Sequence, residues 1–250
     1  MVKKVKLKKF RDPNNKFVIK KPNNMFSLPH KILLSGNSGA GKTQMLLSLL
    51  LSNDGFKNDF KGDDMYIFAP TICNKLEHLI EKKKIPDMNL FIGDLDEQLL
   101  SELYDNLIDE YETSMLLDET PTFKVIVFDD IGFSGKMSSI KKTNNIFNKI
   151  ACNCRKYGIC LYFLVQDYYQ CNKVVRNQMT GLVLFNMNNR SLDAIESENN
   201  FLKNKKDFKE MVRSHLQNKH DHIIINYDRN VNNGLYLNSD FENINPNKNE

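Results

Sequence analysis

One octapeptide constrains this chain more than any other segment. Gly36-Asn37-Ser38-Gly39-Ala40-Gly41-Lys42-Thr43 satisfies G-x-x-x-x-G-K-[ST] at every fixed position. Lys31-Ile32-Leu33-Leu34-Ser35 before it reads as a short buried strand, and Gln44 to Leu51 after it reads as a helix with an apolar face. Strand, glycine loop and helix are the context in which this pattern binds phosphate. The glycines permit a tight turn that points backbone N–H groups and the helix N-terminus at phosphate oxygens. In that setting Lys42 is expected to reach the β- and γ-phosphates of a nucleotide, and Thr43 to offer its hydroxyl to Mg²⁺.

The 250 residues suffice for one α/β domain with a substantial core. An apolar share of 41% and a charged share of 26% are those of a globular protein, and the net charge of +4 is compatible with a nucleic-acid partner without requiring one. The five cysteines form no C-x-x-C pair and no metal-ligand spacing, so a reducing compartment is expected. Lys3, Lys4, Lys6, Lys8 and Lys9 precede no apolar run, which argues against a secretory signal. No apolar stretch approaches a membrane span, and no membrane partner is expected.

Along the chain we expect a basic N-terminal arm over 1–29 with a short strand near Phe17–Ile19. A nucleotide-binding domain over 30–237 and a loose polar tail over 238–250 follow. Within the domain, Met65–Ala69, Lys124–Phe128, Ile159–Val165, Leu182–Phe185 and His222–Asn226 read as strands, with a shorter one at Asn89–Ile92. Helical stretches are expected over 94–112, 140–157, 191–200 and 204–218. Continuous apolar strands between helices indicate a mainly parallel sheet covered on both faces, an α/β fold.

The apolar run Val125–Phe128 ends in Asp129-Asp130, at the strand end where open α/β sheets hold their ligands. Asp129 is expected to hold Mg²⁺ opposite Thr43, and Asp130 to orient or deprotonate the attacking water. By themselves two aspartates after a strand could equally cap a helix; the phosphate loop makes the pairing meaningful. A further buried strand ends at Gln166-Asp167. If it lies between the loop strand and the acidic strand, Gln166 sits beside the γ-phosphate as a sensor. Otherwise it starts the next loop. Arg155 and Arg176 flank that strand in sequence and are candidates to stabilise charge on the γ-phosphate from a neighbouring subunit, against an ordinary surface ion-pair role. Arg190 and Arg213 are weaker candidates. The basic positions Lys203, Lys205, Lys206, Lys209, Arg213 and Lys219 fit a solvated helix face better than a track for a phosphate backbone. Tyr168 and Tyr169 either stack on a base or pack.

Taken together, the chain resembles the FtsK/HerA-type DNA-packaging ATPases of large DNA viruses and virophages. The matching pieces are Leu33–Thr43, Met65–Thr71, Val127–Asp130, Cys154–Tyr157, Phe163–Gln166 and Val175–Asn177, in order, across about residues 30 to 200. The resemblance implies a RecA-like P-loop NTPase with an extra strand between the phosphate-loop and acidic strands. It implies an ATP- and Mg²⁺-dependent ring of five or six subunits that moves double-stranded DNA into a preformed capsid. It assigns Asp130 as the water-activating acid, Gln166 as the sensor, and Arg176 or Arg155 as a finger acting across the subunit boundary. Capsid proteins as partners follow from it, as does a location in the host cytoplasm at viral factories and, transiently, at the assembling virion. Residues after about 200 match no motif.

Other classes fit less well. A GTPase would carry N-K-x-D after a late strand, whereas Asn74-Lys75-Leu76-Glu77 follows an early one and ends in Glu. No L-S-G-G-Q-like segment supports a transporter ATPase, and too little chain remains for a terminase nuclease. A small-molecule kinase and a non-catalytic nucleotide-binding scaffold stay open.

Overall fold

The computed structural model describes residues 19–131 and 145–245. The lysine-rich start of the arm, the first residues of the helix expected over 140–157, and the end of the tail lie outside them. Eight strands form one sheet in the order β3-β2-β4-β5-β1-β6-β7-β8. They are β1 (Lys31–Ser35), β2 (Met65–Ala69), β3 (Leu90–Ile92), β4 (Lys124–Asp129), β5 (Ile159–Val165), β6 (Gly181–Phe185), β7 (His222–Asn226) and β8 (Tyr236–Leu237). The first six run parallel, and β7 and β8 add an antiparallel edge.

β5 shows why its sequence is an unbroken apolar run. All seven of its residues are buried. Cys160, Tyr162 and Leu164 pack into one core and Leu161, Phe163 and Val165 into the other, the two-residue alternation of a strand covered on both faces. On the first face lie α1 (Lys42–Leu51) and α2 (Asn74–Lys83). On the second lie α3 (Glu97–Leu116), α4 (Ile146–Asn153), α5 (Lys173–Asn177), α6 (Asn189–Asn199) and α7 (Lys205–His215). Phe163 stacks against Phe128 of β4 at 4.8 Å between centroids, so truncation of either ring should cost about 3–5 kcal/mol.

Helix ends follow local chemistry. Asp96 accepts hydrogen bonds from the Gln98 and Leu99 amides and caps α3, which begins at Glu97, three residues later than its apolar spacing suggests. The helix expected to reach Tyr157 is α up to Asn153 and tightens to a 3₁₀ turn over Cys154–Tyr157, closed by Gly158 in the left-handed region.

Both ends of the described chain are more firmly held than their composition suggests. Phe26 and Leu28 are fully buried, and Ile19 pairs with Leu28. The tail expected to be loose from Asn238 is instead pinned as far as 245. Leu237 bridges Asn243, the Ile244 amide donates to the Tyr236 carbonyl at 3.0 Å, and Asn245 is buried. Asn-rich sequence here satisfies backbone groups rather than solvating a free end: Asn24 donates to the Phe241 carbonyl and Asn245 to that of Val231.

Candidate nucleotide-binding site

The site lies at the C-terminal ends of β4, β5, β1 and β6. Register places Ser35 of β1 beside Val165 of β5, and Asp129 of β4 beside Leu164, so three strand tips end at one level. β5 stands between the phosphate-loop strand and the acidic strand, as the resemblance implies. Two strand spacings, about 10 Å, therefore separate the axes of β1 and β4.

Strand neighbours on both sides tie the loop down. The Gly36 amide donates to the Val165 carbonyl at 3.2 Å, and the Asn37 amide to the Asn186 carbonyl at 3.4 Å. Gly36 must be glycine, because a Cβ there would meet Phe185 Cβ at 2.5 Å. Gly41 caps α1 at φ 115°, a backbone only glycine adopts readily. The first turn of α1 carries no acidic residue, so nothing within the helix itself offsets the positive end of its dipole. Lys42 Nζ curls into the loop and donates to the carbonyls of Gly36 at 2.6 Å and Asn37 at 3.1 Å. Burial lowers its pKa from the usual lysine range, while the charges of Asp130 and Asp129 oppose that shift.

The acidic pair is under electrostatic tension. Burial, followed by the charge of Asp130, pushes Asp129 up to about 6 against the pull of Lys42. Asp130 sits at φ 55°, in the left-handed region that aspartate tolerates, fixed by a 3.0 Å bond from its amide to the Leu164 carbonyl. Its Oδ2 accepts from Gln166 Nε2 at 2.7 Å, while Oδ1 is buried and has no hydrogen-bond partner among the described residues. Burial raises this carboxyl too, opposed first by the Gln166 bond. The structure thus brings Lys42, Asp129, Asp130 and Gln166 to one end of the sheet.

The donor set suits Mg²⁺. One carboxylate and one hydroxyl, Asp129 and Thr43, match a hard cation that keeps several waters and takes phosphate oxygens for the rest. Among the described residues no group of three or more His, Cys, Asp or Glu forms an all-protein cage. The unpartnered Asp130 Oδ1 and the raised Asp129 mark where positive charge or a water proton would be welcome.

The two arginines are placed differently from expectation. Arg176 is committed within its own chain, with a side chain only 6% exposed. Its Nε and Nη2 donate to both Glu198 oxygens at 3.1 and 2.8 Å, its Nη1 donates to the Cys171 carbonyl at 2.6 Å, and its guanidinium lies 4.6 Å from the Tyr168 ring centre. In this arrangement it is an internal brace rather than a projecting finger. Arg155 lies before β5, where its charge acts on His30 and Lys31 at the start of β1, the opposite end of the sheet from the loop. By contrast Arg190, in the first turn of α6, is exposed at the phosphate end and covers Tyr169 at 4.7 Å.

Sequence reasoning missed the turn before β7. Because β7 runs antiparallel to β6, its first residue, His222, returns to the phosphate end opposite Phe185. His220 Nδ1 donates to the Ala40 carbonyl at 3.2 Å, and Lys219 Nζ lies 3.7 Å from where a Cβ on Gly39 would stand. No motif announces these contacts; the only signal was a histidine-rich turn ahead of a late apolar strand.

The sequence pattern of the family described as Poxvirus A32 protein matches residues 17–248. No curated protein matches the chain. Among solved structures, the genome-packaging NTPase B204 of Sulfolobus turreted icosahedral virus 2, in complex with ATP-gammaS, is 12% identical. The match covers 83% of this chain and 94% of that one at a TM-score of 0.52. B204 described as the DNA-packaging ATPase of Sulfolobus turreted icosahedral virus gives 13% identity, 80% and 94% coverage and the same TM-score. The pCW3 conjugation coupling protein TcpA, a monomer form with ATPgS, gives 16% identity and a TM-score of 0.50 over 80% of this chain and 57% of that one. At such identities the likeness concerns the fold, which is that of RecA-like P-loop ATPases.

Proposed function

Because the chain belongs to the poxvirus A32 protein family, we propose that it couples Mg²⁺-dependent ATP hydrolysis to the movement of double-stranded viral DNA into a preformed capsid. It is an ATP hydrolase of the genome-packaging class. The observation that carries the reading is the 2.7 Å contact between Gln166 and Asp130, made on a strand wedged between the phosphate loop and the acidic strand. A structural caps-and-turns account would not leave a buried carboxylate oxygen unpartnered beside a lysine.

In this reading Mg²⁺-ATP supplies the terminal phosphoryl group that is transferred to water. Lys42 and the loop amides grip its oxygens, and Thr43 with Asp129 would hold the cation. Asp130, free on Oδ1, accepts the proton of the attacking water. Gln166 holds Asp130 by its amide N–H and is positioned to register whether the terminal phosphate is still attached. A ring supplies an arginine from a neighbouring subunit. With Arg176 tied to Glu198, exposed Arg190 is the better-placed candidate for that role, and Arg155 could serve only across an interface. We place its work in the host cytoplasm, at the assembling virion, with capsid proteins as docking partners. No helix among the described residues is long and apolar enough to cross a membrane.

The test is ATP turnover with and without double-stranded DNA, together with the molecular mass of the active species. DNA-stimulated turnover by an oligomer supports the motor. Turnover by a monomer that DNA leaves unchanged and a small phosphate acceptor stimulates would replace it with a kinase.

A further inference from the structure

The far side of the phosphate loop from Asp129 holds a slot. Gln44, Met45 and Ser48 of α1, Phe185 of β6, and His220 and His222 beside β7 line a cavity of about 220 Å³ that continues directly from Gly41. Clefts that enclose a whole ligand measure roughly 300–1,000 Å³, so this one is sized for a single flat ring whose substituent lies outside. Its place is informative. A triphosphate with its terminal group toward β4 and β5 must run its other end toward β6 and β7, and there the slot begins.

Among the described residues of its lining, one buried side-chain polar atom lacks a partner, His222 Nε2. His222 Nδ1 lies 3.3 Å from the His220 carbonyl, which can only accept. Its other neighbour, the Ser239 hydroxyl at 3.5 Å, directs its own proton to the His222 carbonyl at 3.1 Å and so also acts as an acceptor toward Nδ1. Nδ1 therefore carries the hydrogen, and Nε2 keeps a bare lone pair. That Nε2 is buried and has no hydrogen-bond partner. The ring itself is fixed by packing 5.0 Å from Phe185. A buried acceptor that nothing satisfies is costly unless a donor arrives with a ligand.

We propose that this slot receives the base of the bound nucleotide, and that His222 Nε2 accepts a hydrogen bond from the ring's exocyclic amino group, as on adenine. Phe185 and Met45 supply its apolar walls. Lys75 also lines the slot, and in this proposal its ammonium meets the sugar and first phosphate. The assignment rests on the phosphate-loop reading above and adds to it how an amino-bearing base is recognised. It gives His220 a purpose as well: bonded to the Ala40 carbonyl, it holds slot and loop in fixed relation.

The test is equilibrium binding, by titration calorimetry with Mg²⁺, of ATP, of the triphosphate of unsubstituted purine riboside, and of inorganic tripolyphosphate. In the native chain ATP should bind about three- to tenfold more tightly than the purine analogue, the range of one net hydrogen bond. His222→Phe keeps the ring packing and should abolish that preference while leaving tripolyphosphate affinity unchanged. Ser48→Trp, which fills the slot from an exposed position, should weaken both nucleotides and spare tripolyphosphate. If tripolyphosphate binds normally but neither variant alters ATP binding, the slot assignment is overturned. If His222→Phe weakens tripolyphosphate as much as ATP, His222 serves the loop and the assignment is likewise overturned. A native chain that binds neither tripolyphosphate nor ATP overturns the phosphate-loop reading itself.

Discussion

Two charge clusters in this molecule set a basic side chain beside carboxyls to opposite ends. Around Arg176, Glu198 and Tyr168, each guanidinium nitrogen has an acceptor, and the Tyr168 hydroxyl donates to Glu198 at 2.9 Å. The first influence on Glu198 is burial, which raises it, yet its bonds from Arg176 and Tyr168 prevail and hold it below its ordinary value. Around Lys42, Asp129 and Asp130 the balance is reversed. Both carboxyls are raised, a carboxylate oxygen is orphaned, and the lysine leans on backbone carbonyls. A cluster whose bonds are complete holds a fold together. A cluster left incomplete within its own chain is built for something that arrives.

That contrast can be broken experimentally. Its largest consequence concerns activity: Lys42→Ala or Asp129→Ala should reduce ATP turnover by at least about a hundredfold, the scale of losing one charge-stabilising group. Thermal melting of the same variants should stay near that of the native chain. A large drop in melting temperature would move the acidic cluster into the structural class. Arg176→Ala should do the reverse. It strands a half-buried carboxylate that keeps only its Tyr168 bond, so denaturant unfolding should register a loss of about 1–3 kcal/mol. If Arg176→Ala melts normally yet loses turnover, the brace assignment is wrong.

A subtler check uses His30, which is fully buried, packed tilted against Phe56 and edge-on against Tyr162, and bonded through Nε2 to the Tyr162 hydroxyl at 2.7 Å. Burial lowers its pKa to about 3. In the unfolded chain it protonates near its ordinary value while in the folded chain it stays neutral. The stability this represents is complete above about pH 6.5 and declines by about 1.4 kcal/mol per unit as pH falls toward 3. Urea unfolding of native and His30→Gln protein at pH 7 and pH 5 should show a shallower pH slope in the variant. Equal slopes would remove His30 from the account. The smallest effect on stability is expected at Arg190, exposed and lying against a tyrosine face. Arg190→Ala should change stability by under about 0.5 kcal/mol, and a rise in turnover on mixing it with Lys42→Ala would identify it as acting on a neighbour.

What could be read from sequence divides along the same physical line. The strands β1, β2, β4, β5 and β6 announce themselves because burial on both faces demands unbroken apolar runs. The loop glycines, Lys42, Asp129 and Asp130 are legible because phosphate chemistry requires those types at that local spacing. Gln166 needed a topological condition, that β5 lie between β4 and β1, and the sheet order meets it. The partnership of Arg176 with Glu198, 22 residues away, has no periodic signature, so a buried brace looked like a free arginine. The same is true of His220 and His222, which reach the loop only because β7 turns antiparallel. The helix α2 escaped because only Leu76 and Leu79 of its ten residues are buried.

The central claim is that Asp130, held by Gln166 with one oxygen free, acts on water at the terminal phosphate. The most direct measurement compares ATP affinity and single-turnover hydrolysis in Asp130→Asn and native protein. The account predicts affinity within about threefold of native and hydrolysis slowed by at least about a hundredfold, as loss of a general base requires. Hydrolysis at the native rate in Asp130→Asn would contradict it.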